Sequence, residues 1–168
     1  MKGVEVGELL VRIAQGDNVA FAQLYKKTAR GVYAFLYTYL HNRADTEDAM
    51  QTVYLKVRKS AGHFKAGTNG RAWLLQVAKN HALSEIKKSG RESSSEILEK
   101  IPVHQSDFCV TDAMQRVLTE EEQRIVALHV LWGYKHREIA KQLNVPLGTV
   151  TSKYKRSVEK LRHALKEV

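Results

Sequence analysis

The chain has 168 residues, of which 43% are hydrophobic, and it carries a formal net charge of +9 at pH 7. This length and composition permit a buried core in one domain or in two small ones, which excludes a wholly disordered chain, and no apolar run reaches the length of a membrane span. The positive charge favours a polyanionic partner such as a nucleic acid, with a cationic helix on a membrane surface as the competing interpretation.

Long helices are favoured over strands, because the chain has only two prolines and its glycines stand singly. A short helix is predicted over 6–14, ended by Gly16. A long helix is predicted over 19–40, where the side chain of Asp17 or Asn18 can accept hydrogen bonds from the free amides of the first turn. Its aromatic residues fall at helical spacing, so core packing explains most of them. We therefore predict an all-α fold.

A third helix is predicted to begin at Asp45, where acidic residues suit the positive end of the helix dipole. One face of this helix is apolar and the other is polar except for Leu55. An exposed leucine among polar residues suggests a docking surface for another protein, and a solvated helix face is the alternative. The apolar face consists of Met50, Val53, Tyr54 and Val57, and the other face of Asp48, Gln51, Thr52, Leu55 and Lys59.

A basic loop over 63–70, which contains Phe64 and Lys65, leads into a fourth helix over 71–88. This helix is apolar on two sides, which predicts that it lies between neighbours; Leu75, Ala78, Ala82 and Ile86 form one of these sides. Between them runs a narrow stripe of Trp73, Gln76, Asn80 and Lys87. An aromatic ring, two amides and a cation can stack on unpaired bases, bond to base edges and neutralise phosphate. A buried tryptophan with a polar edge is the alternative.

The character of the chain changes between 90 and 112, where three consecutive serines, a proline and a net negative charge predict a linker between two basic modules. A short apolar docking segment around 97–103 is the alternative. The only cysteine, Cys109, lies in this stretch. It excludes an internal disulfide and favours a reducing compartment, so we expect a cytoplasmic protein without membrane insertion.

The second module is predicted to start with a helix whose capping box is formed by Thr119 and Glu122 and whose end is marked by Gly133. The residues after Gly133 have the pattern of a helix-turn-helix. A short helix containing Ile139 is followed by a break at Pro146 and then by a longer helix.

This last helix has an apolar stripe on one side and hydroxyl and cationic side chains on the other. The apolar stripe consists of Leu147, Val150, Tyr154, Val158, Leu161 and Leu165. The opposite side, together with its flanks, consists of Thr149, Thr151, Ser152, Lys153, Lys155 and Arg156. A helix of this kind after a tight turn is typical of a recognition helix in the DNA major groove. A surface helical hairpin with a solvated basic face is the alternative.

Enzymatic functions find little support in the sequence. The seven histidines are scattered, none of them in a metal-ligand pair, and there is no glycine-rich phosphate loop or nucleophile elbow. We expect no catalytic residue, no cofactor and no metal.

Together these segments resemble the bacterial RNA polymerase sigma factors of the small extracytoplasmic-function (ECF) type. The resemblance covers most of the chain in the order and spacing of the family. It is carried by Ala20-Phe21 with Leu24-Tyr25, the stretch 45–54, Trp73-Leu74 with Ala78-Lys79-Asn80, the stretch 118–124, Glu138-Ile139-Ala140 and Gly148-Thr149-Val150. Ser84, Lys87, Lys135 and Lys153 depart from the usual pattern, which leaves the promoter sequence open.

The resemblance implies two small helical domains, region 2 over 1–89 and region 4 over 113–168, joined by a linker over 90–112. It implies four kinds of contact. Asp48, Gln51, Thr52 and Leu55 would bind the clamp helices of the β′ subunit of the polymerase core, whose β subunit is a further partner. Phe64, Lys65, Trp73, Gln76, Lys79, Asn80 and Lys87 would melt the minus 10 promoter element and hold a flipped base. Thr149, Thr151, Ser152, Lys153, Lys155 and Arg156 would read the minus 35 element as duplex. An anti-sigma factor is a further expected partner.

Two other functions fit parts of the sequence. A stand-alone helix-turn-helix regulator would bind duplex DNA without polymerase, but it would have no use for the 45–54 and 73–80 stretches. A protein–protein adaptor related to sigma factors would keep the helical surfaces and lose promoter binding. Stoichiometric binding to core polymerase distinguishes the sigma factor from both.

Overall fold

The computed structural model describes residues 3–89 and 113–166, so the predicted linker, its apolar segment and Cys109 lie outside the described residues. Every regular element in the described ranges is a helix, which confirms the all-α fold. The chain divides into two compact units, Met1–Pro102 and Val103–Val168. In the part of the chain that the structure describes, no helix is both long and apolar enough to cross a membrane.

The N-terminal unit contains four helices: α1 Gly3–Ala14, α2 Asn18–Leu40, α3 Arg43–Ser60 and α4 Gly70–Ser89, with a 3₁₀ turn Ala61–His63 after α3. Asp17 caps α2 by accepting a 3.0 Å hydrogen bond from the amide of Ala20, as predicted. The third helix begins at Arg43, two residues earlier than predicted. The side chain of Asn42 caps it by accepting a hydrogen bond from the amide of Asp45.

The core of this unit is built around the second half of α2, where residues 31–38 are all buried. The apolar face predicted for α3 is buried as well. On α4 the buried residues include Leu75, Ala78 and Ala82, but Ile86 is 45% exposed, so the predicted apolar side ends before it. His81 of α4 is buried as well, although it is not one of the apolar residues predicted for this side.

Two glycines bring α1 and the start of α4 into backbone contact. A Cβ atom added at Gly70 would lie only 2.4 Å from the backbone nitrogen of Gly7. No side chain fits into that space, so the entry of α4 lies directly against α1. The preceding loop, over 64–69, is thereby fixed at its downstream end.

The C-terminal unit contains a helical segment α5 over 113–117, α6 Glu120–Val126, which continues as a wider π turn Ala127–Leu131, α7 His136–Leu143 and α8 Leu147–Lys166. Both bonds of the predicted capping box between Thr119 and Glu122 are present. Gly133 ends the π turn with φ +65°, and the amide of Tyr134 donates to the carbonyl of Leu128 at 3.0 Å. The amide of Gly133 donates to the carbonyl of His129 at 3.1 Å, which is the bond of the left-handed (αL) cap that satisfies the last carbonyls of a helix.

The helix-turn-helix is formed by α7 and α8. Asn144 ends α7 in the left-handed conformation, φ +55°, and the chain turns through Pro146 into α8. Ile139 of α7 and Val150 of α8 are completely buried. Further along α8, partly buried Tyr154 and Leu161 pack on the core of Met114, Leu118 and Val126. Leu147 and Leu165 are 47% and 44% exposed, so the buried stripe is shorter than predicted at both ends.

Candidate functional site

The outer face of α3 carries the predicted docking residues. Asp48 is exposed, Gln51 and Thr52 are half-buried, and Leu55 is 41% exposed. Tyr54, on the opposite face, sets the rotation of the helix. Its hydroxyl lies 2.6 Å from the hydroxyl of Thr28 on α2, and burial raises its pKa well above the ordinary value, so it stays protonated. The structure therefore presents an apolar side chain among polar ones on this surface.

The loop before α4 is held from inside by Phe64. Its side chain is only 7% exposed, lies against Gly7, and meets Trp73 edge to face with ring centroids 5.7 Å apart. The buried ring of Phe64 supports Trp73, and a direct contact of Phe64 with the minus 10 element stays a prediction. Lys65, the next residue, is exposed. Asn69 caps α4 by accepting from the amide of Ala72 at 3.2 Å.

The predicted stripe on α4 is at the surface. Trp73 is half-buried, and Gln76 and Asn80 are exposed one turn apart, with the amide nitrogen of Gln76 donating to the amide oxygen of Asn80 at 2.7 Å. Lys79 beside them is half-buried and Lys87 is exposed at the far end of the helix. The half-exposed indole next to two bonded amides offers a ring face and hydrogen-bonding edges to one planar group.

His81 is absent from the predicted sites, although it follows directly after Asn80. It is 5% exposed, and its Nδ1 accepts a hydrogen bond from the ammonium of Lys56 on α3 at 3.2 Å. Burial and the Lys56 charge lower its pKa, so the ring is neutral at pH 7. Its spacing from Leu74 and Ala78 is the sequence signal that places it on the buried side.

The surface of α8 opposite its buried stripe carries the predicted duplex-reading residues. Thr151, Ser152, Lys155 and Arg156 are exposed and Thr149 is half-buried.

Lys153, which is also predicted to read the duplex, has an ionic partner within its own unit. Its ammonium forms an ion pair with the carboxylate of Glu121 on α6, and its side chain is only 25% exposed. The pair joins α8 to α6, and contact of Lys153 with the duplex stays a prediction.

A second ion pair holds α8 to α6. The ammonium of Lys160 lies 2.9 and 3.0 Å from the two carboxylate oxygens of Glu122, which is itself buried. Burial alone would raise the pKa of Glu122, but the hydrogen bond from the Thr119 amide and the Lys160 charge outweigh it and hold the pKa below the ordinary value. The carboxylate is therefore ionised at pH 7, and the two pairs orient the outer face of α8.

Two histidines that are seven positions apart come together where α6, α7 and α8 meet. The ring of His136 lies 4.7 Å from that of His129 and 5.0 Å from that of Tyr154, measured between centroids. Burial and the neighbouring His129 lower the pKa of His136. Across the two described ranges, no group of three or more His, Cys, Asp or Glu side chains is arranged to hold a metal ion.

Comparison with known proteins gives matches to both units. The model of sigma-70 region 2 matches residues 24–92, and the model of sigma-70 region 4 matches residues 110–161. The ECF RNA polymerase sigma factor SigM of Mycobacterium tuberculosis strain H37Rv is 26% identical over 94% of this chain and 83% of its own length. SigK of Mycolicibacterium vanbaalenii is 28% identical over 96% of this chain and 89% of its own length.

Solved structures of similar fold agree with these matches. CnrH, in a complex with the cytosolic domain of CnrY, has a TM-score of 0.63 at 18% identity, over 97% of this chain and 98% of that chain. The sigma factor RpoE of Bartonella quintana, in a complex with the anti-sigma factor NepR, has a TM-score of 0.62 at 22% identity, over 87% of this chain and 96% of that chain. At these identities the likeness shows the fold.

Proposed function

The chain belongs to the ECF group of the sigma-70 family of RNA polymerase sigma factors, and we propose that its described surfaces divide promoter recognition among them. As a sigma factor it binds the RNA polymerase core and directs promoter-specific transcription initiation. It is an initiation factor and not an enzyme. The match to region 2 favours this function over that of a stand-alone helix-turn-helix regulator.

We assign core binding to the outer face of α3. Asp48, Gln51, Thr52 and Leu55 form a surface on which a leucine is exposed among polar groups. Such a residue gains most by burial against a partner, while its polar neighbours select the register. The partner proposed for this surface is the clamp helices of the β′ subunit, with the β subunit contributing to the remaining contact of the polymerase core.

Melting of the minus 10 element is assigned to α4 and the loop before it. Trp73, Gln76 and Asn80 form a half-exposed ring and two amides that can hold an unpaired base. Lys65, Lys79 and Lys87 supply positive charge for the phosphates of the separated strand. Phe64 positions Trp73 from inside the fold.

Reading of the minus 35 element is assigned to the outer face of α8. Thr149, Thr151, Ser152, Lys155 and Arg156 present hydroxyls and cations on a helix that follows the turn of a helix-turn-helix. This is the geometry with which a recognition helix enters the major groove. Lys153 belongs to the predicted set as well, and because its charge is paired with Glu121 we propose that it contributes less to DNA binding than Lys155 and Arg156.

The domain limits, the cellular location and the regulation of the chain follow from the same function. We propose region 2 over 1–89, a linker over 90–112 and region 4 over 113–168, and a cytoplasmic location beside the polymerase. The sigma factor RpoE of Bartonella quintana, which has a similar fold, was solved in a complex with the anti-sigma factor NepR. An anti-sigma factor is accordingly a proposed partner of this chain.

The observation that supports the assignment of melting most directly is the row of Trp73, Gln76 and Asn80 at the surface of α4. Replacing Asn80 by alanine removes one of the two bonded amides without disturbing the core. With core polymerase and a promoter bound by the wild-type chain, we expect Asn80→Ala to reduce permanganate reactivity of the minus 10 thymines while duplex binding through the minus 35 element is retained.

The matched control is Gln23→Ala, which removes an exposed amide from α2. This variant should open the promoter as the wild-type chain does. An equal loss of opening and of duplex binding in Asn80→Ala would contradict the role of base capture.

A further inference from the structure

Two of the three outward hydroxyls of the recognition helix α8, those of Thr151 and Ser152, are bonded to the backbone of their own helix. The hydroxyl of Thr151 lies 3.1 Å from the carbonyl oxygen of Leu147, and that of Ser152 lies 3.2 Å from the carbonyl oxygen of Thr149. A carbonyl oxygen can only accept, so each hydroxyl donates its single proton inward. What each presents outward is the lone pairs of its oxygen.

Thr151 has a second contact that Ser152 lacks. The Nδ1 atom of His136, at the start of α7, lies 3.3 Å from the hydroxyl oxygen of Thr151. Because the proton of Thr151 is directed to Leu147, His136 must be the donor, which places the proton of the neutral ring on Nδ1. Among the residues that the structure describes, the buried Nε2 atom of His136 has no hydrogen-bond partner.

The ring of His136 is held in this orientation by its neighbours. It packs against His129 and Tyr154, whose rings are also in contact with each other at 4.6 Å between centroids. His129 is fixed in turn, because its Nδ1 donates to the carbonyl oxygen of Tyr134 at 2.8 Å. The π turn, α7 and α8 thus meet at one aromatic cluster, and that cluster determines which atom of His136 faces Thr151.

We propose that His136 is a positioning residue: by donating to the oxygen of Thr151 it keeps the Thr151 proton on the carbonyl of Leu147, so that the remaining lone pair of Thr151 faces the DNA and selects adenine or cytosine on the strand it contacts. A freely rotating threonine hydroxyl can bond to donors and acceptors alike and discriminates little. An oxygen that can only accept requires an amino group in the major groove, which adenine N6 and cytosine N4 supply. This inference rests on the proposed reading of the minus 35 element by α8, and it deepens that function by naming the class of base.

The consequence is a preference for one orientation of the base pair. Every base pair exposes one amino group in the major groove, on adenine or on cytosine. At the position read by Thr151, A·T should therefore be favoured over T·A, and C·G over G·C. Loss of one neutral hydrogen bond is expected to change the preference about fivefold.

The test uses the full chain bound to bacterial core RNA polymerase and a duplex library randomised over the minus 35 region. Sequences enriched by the wild-type chain are compared with those enriched by Thr151→Val, which keeps the shape and loses the hydroxyl, and by Thr151→Ser, which keeps the hydroxyl and loses the methyl group. We expect the preference for adenine or cytosine at one position to disappear in Thr151→Val and to persist in Thr151→Ser.

The role of His136 is tested in the same library. His136→Phe keeps an aromatic ring in the cluster but removes the donor, so it should relax the preference at the position of Thr151 alone. His136→Asn provides an amide nitrogen close to the place of Nδ1 and should restore that preference. His163→Phe is the matched control, since it makes the same change at an exposed histidine of α8 that lies outside the duplex-reading set.

Three results would count against the inference, and they separate it from the proposed function. If the wild-type complex enriches a minus 35 sequence and Thr151→Val changes none of its base preferences, reading of the minus 35 element stands and the role of Thr151 is overturned. A preference for thymine that survives in Thr151→Val would show that the methyl group selects the base. If the wild-type complex enriched no sequence at all, both the proposed reading of the minus 35 element and this inference would fall.

Discussion

Replacing Gly70 by alanine should uncouple α1 from α4. The added Cβ would lie 2.4 Å from the nitrogen, and 2.8 Å from the Cα, of Gly7, so backbone rather than a flexible side chain has to move. Overpacking of this kind costs about 1–3 kcal/mol, and contact with backbone atoms places Gly70→Ala in the upper half of that range. For a unit of this size a loss of about 2 kcal/mol lowers the unfolding temperature by roughly 10 °C.

Two other glycines serve as graded controls for this prediction. A Cβ at Gly7 would meet the ring of Phe64 at 3.3 Å and the carbonyl oxygen of Thr68 at 3.5 Å, which is ordinary van der Waals contact, so Gly7→Ala should be nearly neutral as the gain in helix propensity offsets a small shift of the ring. A Cβ at Gly62 would meet nothing within 4 Å. Thermal unfolding of the full chain should rank Gly70→Ala far below both. Equal stability of Gly70→Ala and Gly62→Ala would refute the close approach of α1 and α4.

Three further predictions concern the surfaces and the histidines. Leu55→Ala should weaken binding to core polymerase about tenfold, measured by titration, while Val19→Ala, which shortens another exposed apolar side chain, should leave it unchanged. Arg156→Ala should lower the affinity for minus 35 duplex and reduce the salt dependence of binding. Lys153→Ala should reduce thermal stability and leave the salt dependence of binding as it is. A larger loss of salt dependence in Lys153→Ala than in Arg156→Ala would contradict the ion pair. The pKa of His136 is lower in the folded chain than in the unfolded chain, so the unfolded chain binds more protons as the pH falls below about 6.5. Resistance to denaturant should therefore decline from about pH 7.5 to 5.5. The decline should be less steep in His136→Phe.

The helices were accessible from the sequence because their signals are local. The capping box of Thr119 and Glu122 and the cap by Asp17 involve residues three apart, and the structure contains both. The turn at Pro146 and the buried positions Ile139 and Val150 follow in the same way from short-range pattern. Helix periodicity therefore determined the fold class and the outward faces of α3, α4 and α8.

What the sequence could not give are contacts between elements. Phe64 lies in a basic loop, where the sequence predicts a residue at the surface. Its ring is instead buried against Gly7, at the place where α1 contacts α4. Lys153 lies on the edge of the polar face of α8, and its orientation is decided by Glu121, which is 32 residues away in the chain. His129 and His136 form no recognisable pair in the sequence, but the π turn brings their rings together in the structure. Each of these depends on the packing of two helices and not on periodicity within one.

The measurement that tests the central claim most directly is run-off transcription with purified bacterial core RNA polymerase, with and without this chain, on genomic fragments from its source organism. A sigma factor predicts new transcripts with defined start sites that appear only when the chain is present, and alignment upstream of those sites should yield two promoter elements. Failure of the chain to bind the core at all would contradict the account and would leave the duplex-binding regulator as the function of the helix-turn-helix.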